Sequence, residues 1–127
     1  MEARVVEVKT GDETVDIKTE DYNIWHDPEN STIFFRGFLR LDGMEEYQPV
    51  MNLLLKSIEQ ATTLTLNLRE LEFLNSSGIS MLSMFVVRVR QQGDVQLVLQ
   101  GSDKILWQTK SLKNLQRLMP SLTLEFS

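Results

Sequence analysis

The sequence contains no cysteine, a single histidine, three prolines and six scattered glycines. Without cysteine there can be no disulfide, thiolate metal site or thiol nucleophile, a usage that suits a reducing cytosol. The lone histidine, His26, stands on a different element from Ser76, which leaves little room for a Ser-His-Asp system. Beside a turn and without ligand neighbours of known spacing, it reads as a surface residue. The glycines match neither the phosphate loop of a nucleotide hydrolase nor the three-glycine dinucleotide fingerprint. Long apolar runs are also missing: Met84 to Val87 is the longest and is far too short to span a bilayer, and the N-terminus lacks the apolar core of a signal peptide. Basic charge is in deficit, with 13 Lys and Arg against 18 Asp and Glu, a net charge of −5 that leaves no nucleic-acid footprint.

What is present is an ordinary globular composition, 42% hydrophobic and 24% charged over 127 residues, enough to bury a core. The acidic excess is confined to residues 1–62, where 13 acidic side chains face 6 basic ones; residues 63–127 hold 5 and 7. The expectation is a soluble cytoplasmic protein with no membrane partner and no nucleic-acid partner.

Residues 1–20 read as an N-terminal extension, with Val6 and Val8 and then Val15 and Ile17 flanking the Thr10-Gly11-Asp12 turn of a hairpin. Residues 21–127 read as the main domain. Tyr22 to Trp25 and Thr32 to Leu41 form strands around the turn at Asp27 to Ser31, and Gly37 within the second marks a bulge or a close backbone approach. Tyr47, Val50, Met51, Leu54 and Ile58 have helical spacing, and Pro49 suits only a first turn, so this helix is expected to start near Glu46 or Tyr47. Leu64, Leu66 and Leu68 alternate as a strand, followed by a short turn over Arg69 to Phe73. A second helix over Ile79 to Gln92 presents Ile79, Leu82, Phe85, Val86 and Val89 to a core; Met81, Met84 and Val87 lie partly off that stripe, where they either pack on the sheet as well or form an adaptable binding rim. A strand from Asp94 to Leu99, one or two helices over Ile105 to Met119 and a last strand through Leu122, Leu124 and Phe126 complete the chain. The order predicts an α/β fold: a mixed, largely parallel sheet of about five strands packed by three to four helices, with the N-terminal hairpin or strand added.

Between the central strand and the second helix lies Asn75-Ser76-Ser77-Gly78. Asn and Ser are favoured at helix starts because their side-chain oxygens accept the unpaired backbone N–H groups there, so these residues serve a structural cap. A hydroxyl at the same place can also take a phosphate, whose charge the helix terminus tolerates. Other candidates carry little chemistry. Glu70 and Glu72 read as a solvated pair, and the glycosylation triplets at Asn30 and Asn75 are idle without a secretory signal. No cofactor, no metal site and no enzymatic activity are expected.

Leu66-Asn-Leu68, Leu71, Phe73 and Asn75-Ser-Ser-Gly78, together with Gly37 and Leu39 before the first helix, resemble the STAS family of anti-sigma-factor antagonists over about three quarters of the chain. The resemblance implies a phosphorylation-controlled protein-binding module in a bacterial partner-switching pathway. Ser76 would be the phosphorylated residue and Ser77 the second candidate. Asn75, Ser76, Ser77, Gly78, Ile79, Met81 and Met84 would meet the partner, an anti-sigma factor or Ser/Thr kinase, with a Ser/Thr phosphatase reversing the modification and the chain a monomer or weak homo-oligomer. One position departs: the family places Asp where this chain has Asn75. The departure favours a second reading, a non-switching scaffold subunit of a larger regulatory assembly. A third is a small-ligand-sensing STAS domain.

Overall fold

The structure, a computed structural model, describes residues 6–9 and 15–127, with side chains from residue 16 onward. Among these residues the chain forms strands β1 (Val6–Lys9), β2 (Val15–Lys18), β3 (Tyr22–Asp27) and β4 (Thr32–Leu39), helix α1 (Gly43–Gln60), β5 (Thr63–Leu74), α2 (Ser76–Gln92), β6 (Gln96–Gly101), α3 (Leu106–Leu118) and β7 (Thr123–Phe126). The seven strands lie in one sheet in chain order; β1 to β4 pair antiparallel and β4 to β7 pair parallel. This is the expected mixed α/β fold, five strands plus the N-terminal hairpin, packed by three helices. The Thr10-Gly11-Asp12 turn lies outside the described residues.

Alternation along the strands sets the core. Leu64, Leu66 and Leu68 of β5, Leu97 and Leu99 of β6, and Ile33 and Phe35 of β4 are buried, while their neighbours, Thr32 apart, are partly or fully exposed. The helices supply the other side of this core through Tyr47, Val50 and Leu54 of α1, Leu82, Phe85 and Val86 of α2, and Leu112 and Leu115 of α3. Ile17 of β2 belongs to the same cluster, so the extension and the main domain share one sheet and one core.

Two local expectations are corrected. Helix α1 begins at Gly43, which places Pro49 inside it rather than in its first turn. The missing N–H leaves the Glu45 carbonyl without its helical donor, a loss made tolerable because residue 45 is exposed to water. Arg69 to Phe73 is strand rather than turn. The β4–β5 register slips twice, from Phe34↔Asn67 to Arg36↔Glu70 and from Gly37↔Leu71 to Phe38↔Phe73. Each slip gives β5 an extra residue, so the buried positions run Leu68, Leu71, Leu74, three apart instead of two. A spacing of three in the sequence mimics a turn. Of the one or two helices expected over Ile105 to Met119, the structure has one, α3.

The bulged part of β5 turns carbonyls away from the ladder, and α3 satisfies them. Gln108 is fully buried and its Nε2 donates to the carbonyls of Leu68 (2.6 Å) and Leu71 (2.9 Å), while its Oε1 accepts from the Ser102 N–H at 2.8 Å. The Trp107 indole N–H is shared between the carbonyls of Leu71 and Glu72, at 3.2 and 3.1 Å. At Gly37, φ is +96°, and a Cβ there would stand 2.2 Å from the Asp21 carbonyl oxygen. The expected close approach of backbones is therefore present, and the Phe38 N–H donates to that same oxygen at 2.9 Å.

Candidate functional site

Asn75 closes β5 and caps α2 in one residue. Its extended backbone (φ −79°, ψ 175°) lets its carbonyl receive the Ile79 N–H at 3.0 Å, and its Oδ1 accepts the Gly78 N–H at 3.0 Å. The Tyr47 hydroxyl also donates to Oδ1, at 2.6 Å, which ties the cap to α1. Burial pushes the Tyr47 hydroxyl up to about 12, against an opposing hydrogen bond with the Leu41 backbone, so it remains a donor at neutral pH. The Asn75 Nδ2 donates to the Leu41 carbonyl at 2.8 Å, and the Asn75 backbone N–H donates to the Leu39 carbonyl at 3.2 Å. With Oδ1 committed to two donors, the other side-chain atom has to be a donor to face a carbonyl. An amide meets that demand and a carboxylate does not. This accounts for Asn at a position where the STAS pattern has Asp.

The two hydroxyls of the motif take no part in the cap. Ser76 is exposed and Ser77 half-exposed, and neither has a side-chain hydrogen bond to another described residue. Gly78 is buried, and a Cβ on it would lie 2.2 Å from Leu74 Cδ1 and 2.6 Å from the Tyr47 hydroxyl, so the motif packs tightly behind its two serines. Ile79 is partly buried against the core. Met81 is 0% exposed and belongs to the core, which removes it from the rim and from any direct contact with a partner on this fold. Its side chain falls on the buried arc because α2 lies with Gly78, Met81, Leu82 and Phe85 against its neighbours. Met84 is 51% exposed and Val87 36%. Both border a groove of about 440 Å³ between α1 and α2, completed by Met44, Met51 and Leu55.

Asn75, Ser76 and Ser77 therefore stand together at the end of the sheet where the parallel strands finish, the usual place for function in such sheets. Met84 lies about two turns along α2. On the same edge, the exposed rings of Phe38 and Phe73 each lie 5.8 Å from the guanidinium carbon of Arg40. Sequence reasoning missed Tyr47, Arg40 and Gln108 as parts of this region. Tyr47 and Gln108 make contacts 28 to 40 residues away in the chain, for which no local spacing is a signal. A second depression of about 820 Å³ lies between the β2–β3 turn and strands β4 and β5; Lys18, Arg36 and Arg69 line it, and so do Glu20, Asp21, Glu70 and Glu72, which leave it without a strong charge of either sign.

Catalytic constellations do not assemble from these residues. His26 pairs with Ile33 at the start of β4, level with Leu66, whereas Ser76 follows Leu74, about 25 Å further along the strand direction. Burial lowers the His26 imidazole, with Asp27 opposing it. No group of three His, Asp or Glu side chains placed to hold a metal ion occurs among the described residues, and no helix there is long and apolar enough to cross a membrane. Glu70 is exposed and pairs with Arg36 at 3.3 Å; Glu72 is likewise exposed.

No family model matches the sequence, and no curated protein matches it. Solved structures do. The crystal structure of apo-SiaC from Pseudomonas aeruginosa superposes with a TM-score of 0.64 at 12% identity, covering 98% of both chains. The chain shares its fold with SiaC. A chain in the crystal structure of the diguanylate cyclase SiaD in complex with its activator SiaC, also from Pseudomonas aeruginosa, matches at a TM-score of 0.64 and 12% identity, over 96% of this chain and 99% of that one. A further SiaC structure from the same organism covers all of this chain and 97% of its own at a TM-score of 0.57. The SiaC likeness spans the N-terminal strands as well as the region that resembles STAS domains, so the extension lies within the shared fold.

Proposed function

We propose that this chain is a phosphorylation-controlled protein-binding module of the partner-switching kind, without enzymatic activity of its own, working in the cytoplasm. One observation carries the reading: Asn75 performs the whole of the cap, and Ser76 is left exposed on a rigid element with no structural duty. A serine needed as a cap would be a poor modification site, because phosphorylation would remove the cap along with the free hydroxyl. Here a phosphate on Ser76 adds about −1.5 to −2 charges to the surface and leaves every bond of Asn75 in place. The modification changes what the edge presents and keeps the fold.

The STAS resemblance supports an anti-sigma factor or Ser/Thr kinase as the partner, with a Ser/Thr phosphatase to reset the switch. The SiaC likeness supports a second reading of the partner: an enzyme that the chain activates, as SiaC is described as the activator of the diguanylate cyclase SiaD. Both readings use the same edge and the same switch. Incubation with the cognate kinase followed by phosphopeptide mapping should place the modification on Ser76, or on Ser77 as its neighbour, and Ser76→Asp should weaken partner binding at least about 10-fold, the equivalent of roughly 1.4 kcal/mol. Absence of modification at both serines, together with unchanged binding by Ser76→Asp, would sink the proposal.

A further inference from the structure

Resting on the reading of Ser76 as a phosphorylation site, we infer that Arg40 is the residue that responds to the modification, leaving the Phe38–Phe73 shelf to pair with a phosphate on Ser76. Arg40 is bound to the motif through its own flanks. The carbonyl before it, of Leu39, accepts the Asn75 backbone N–H, and the carbonyl after it, of Leu41, accepts the Asn75 side chain. Residue 40 is thereby held across from residue 75, one inter-strand spacing of about 4.8 Å away, with Ser76 next in the chain. An arginine side chain is longer than that spacing and ends in a planar fork suited to phosphate.

The present seat of the guanidinium is one that it can leave. Its carbon sits 5.8 Å from the centroids of both Phe38 and Phe73, rings that are 42% and 41% exposed. Cation–π contacts at such wet sites are weak. No carboxylate among the described residues holds the group, since the ion pair found there is Arg36 with Glu70. The charged groups on the segments around it are Asp21, whose carbonyl takes the Phe38 N–H, and Asp42 and Glu72 along the chain. A doubly charged phosphate one residue from Asn75 is a stronger partner than two exposed ring faces. The exchange also alters the apolar surface: with Arg40 drawn to the phosphate, both rings lose their cationic cover. Phosphorylation then does two things at one edge. It adds a negative charge and rearranges the aromatic patch that a partner would meet.

The test installs phosphoserine at residue 76 of the full-length chain during translation, so it runs whether or not any kinase modifies this serine. Phosphorus NMR titration of the wild-type chain, Arg40→Gln and, as a control, a variant of the exposed Lys104 between β6 and α3, Lys104→Gln, then follows the second ionisation of the phosphate, ordinarily near pH 6. The expected result is an apparent pKa about one unit lower in the wild type and in Lys104→Gln than in Arg40→Gln. The ring protons of Phe38 and Phe73 should shift on phosphorylation in the wild type and stay in place in Arg40→Gln. Equal phosphate titrations in wild type and Arg40→Gln would overturn the inference, as would a drop that vanishes only in Lys104→Gln. Either failure leaves the kinase mapping untouched, so the two readings fall separately.

Discussion

At the scale of single residues, Asn75 decides the character of the site. Its side chain accepts from Gly78 and Tyr47 and donates to Leu41, and only an amide does both. Asn75→Asp keeps the two acceptor bonds and gains about 0.3–1 kcal/mol from a negative charge at a helix start. It also sets a carboxylate oxygen against the buried Leu41 carbonyl and removes that carbonyl's donor, which costs about 1–3 kcal/mol. The loss is larger than the gain, so the variant should be less stable by about 1–2 kcal/mol. Urea denaturation followed by tryptophan fluorescence would measure it, and a variant more stable than wild type would contradict the amide argument. The sequence motif located the junction between β5 and α2. Which of them caps and which stay free was hidden, because Tyr47 and Leu41, which engage the Asn75 side chain, lie 28 and 34 residues away in the chain.

At the scale of elements, the bulged end of β5 and the start of α3 depend on each other. The two register slips carry Phe73, Leu74 and Asn75 into place at the sheet edge, and they turn the Leu68 and Leu71 carbonyls towards α3. Gln108→Leu fits a similar volume but leaves the Leu68 carbonyl without a side-chain donor and the Leu71 carbonyl with only the shared Trp107 N–H. The expected loss is about 1–3 kcal/mol in the same denaturation assay. Faster hydrogen exchange at the Ser102 N–H, which loses its Gln108 acceptor, should accompany it. Unchanged exchange at Ser102 would mean that the glutamine is not the tie. Periodicity located most elements because apolar alternation and helical spacing are local properties. It misread Arg69 to Phe73, where a bulged strand and a turn give the same spacing of apolar residues. It also left Met81 open between core and rim, since a stripe read from spacing does not say how the helix is rotated against its neighbours.

At the scale of the molecule, the sheet makes one cooperative body of the extension and the remainder. Ile17 is 1% exposed, and β2 pairs with β3 through Asp16↔Trp25 to Lys18↔Asn23. A chain cut to residues 21–127 loses this buried isoleucine and the strand pairing with it. Removal of the side chain alone costs about 2–5 kcal/mol. The truncated chain should therefore melt at least about 4 °C lower by calorimetry, taking 2–4 °C per kcal/mol as a conservative conversion. A melting temperature equal to the full chain would show the extension to be separable. The solved SiaC structures match over nearly the whole chain, which agrees with a fold that includes the N-terminal strands.

The sequence by itself determined the class of fold, the order of its elements and the position of Asn75-Ser-Ser-Gly78 between a strand and a helix. These follow from alternation, helical spacing and capping chemistry, all set by residues a few positions apart. Only the tertiary structure decided how the motif is built. It assigned the cap to Asn75 through Tyr47 and Leu41, left Ser76 free, sent Met81 into the core and brought Arg40 beside the motif. Each of those outcomes depends on contacts between segments distant in the chain, whose geometry exists only after the sheet has closed.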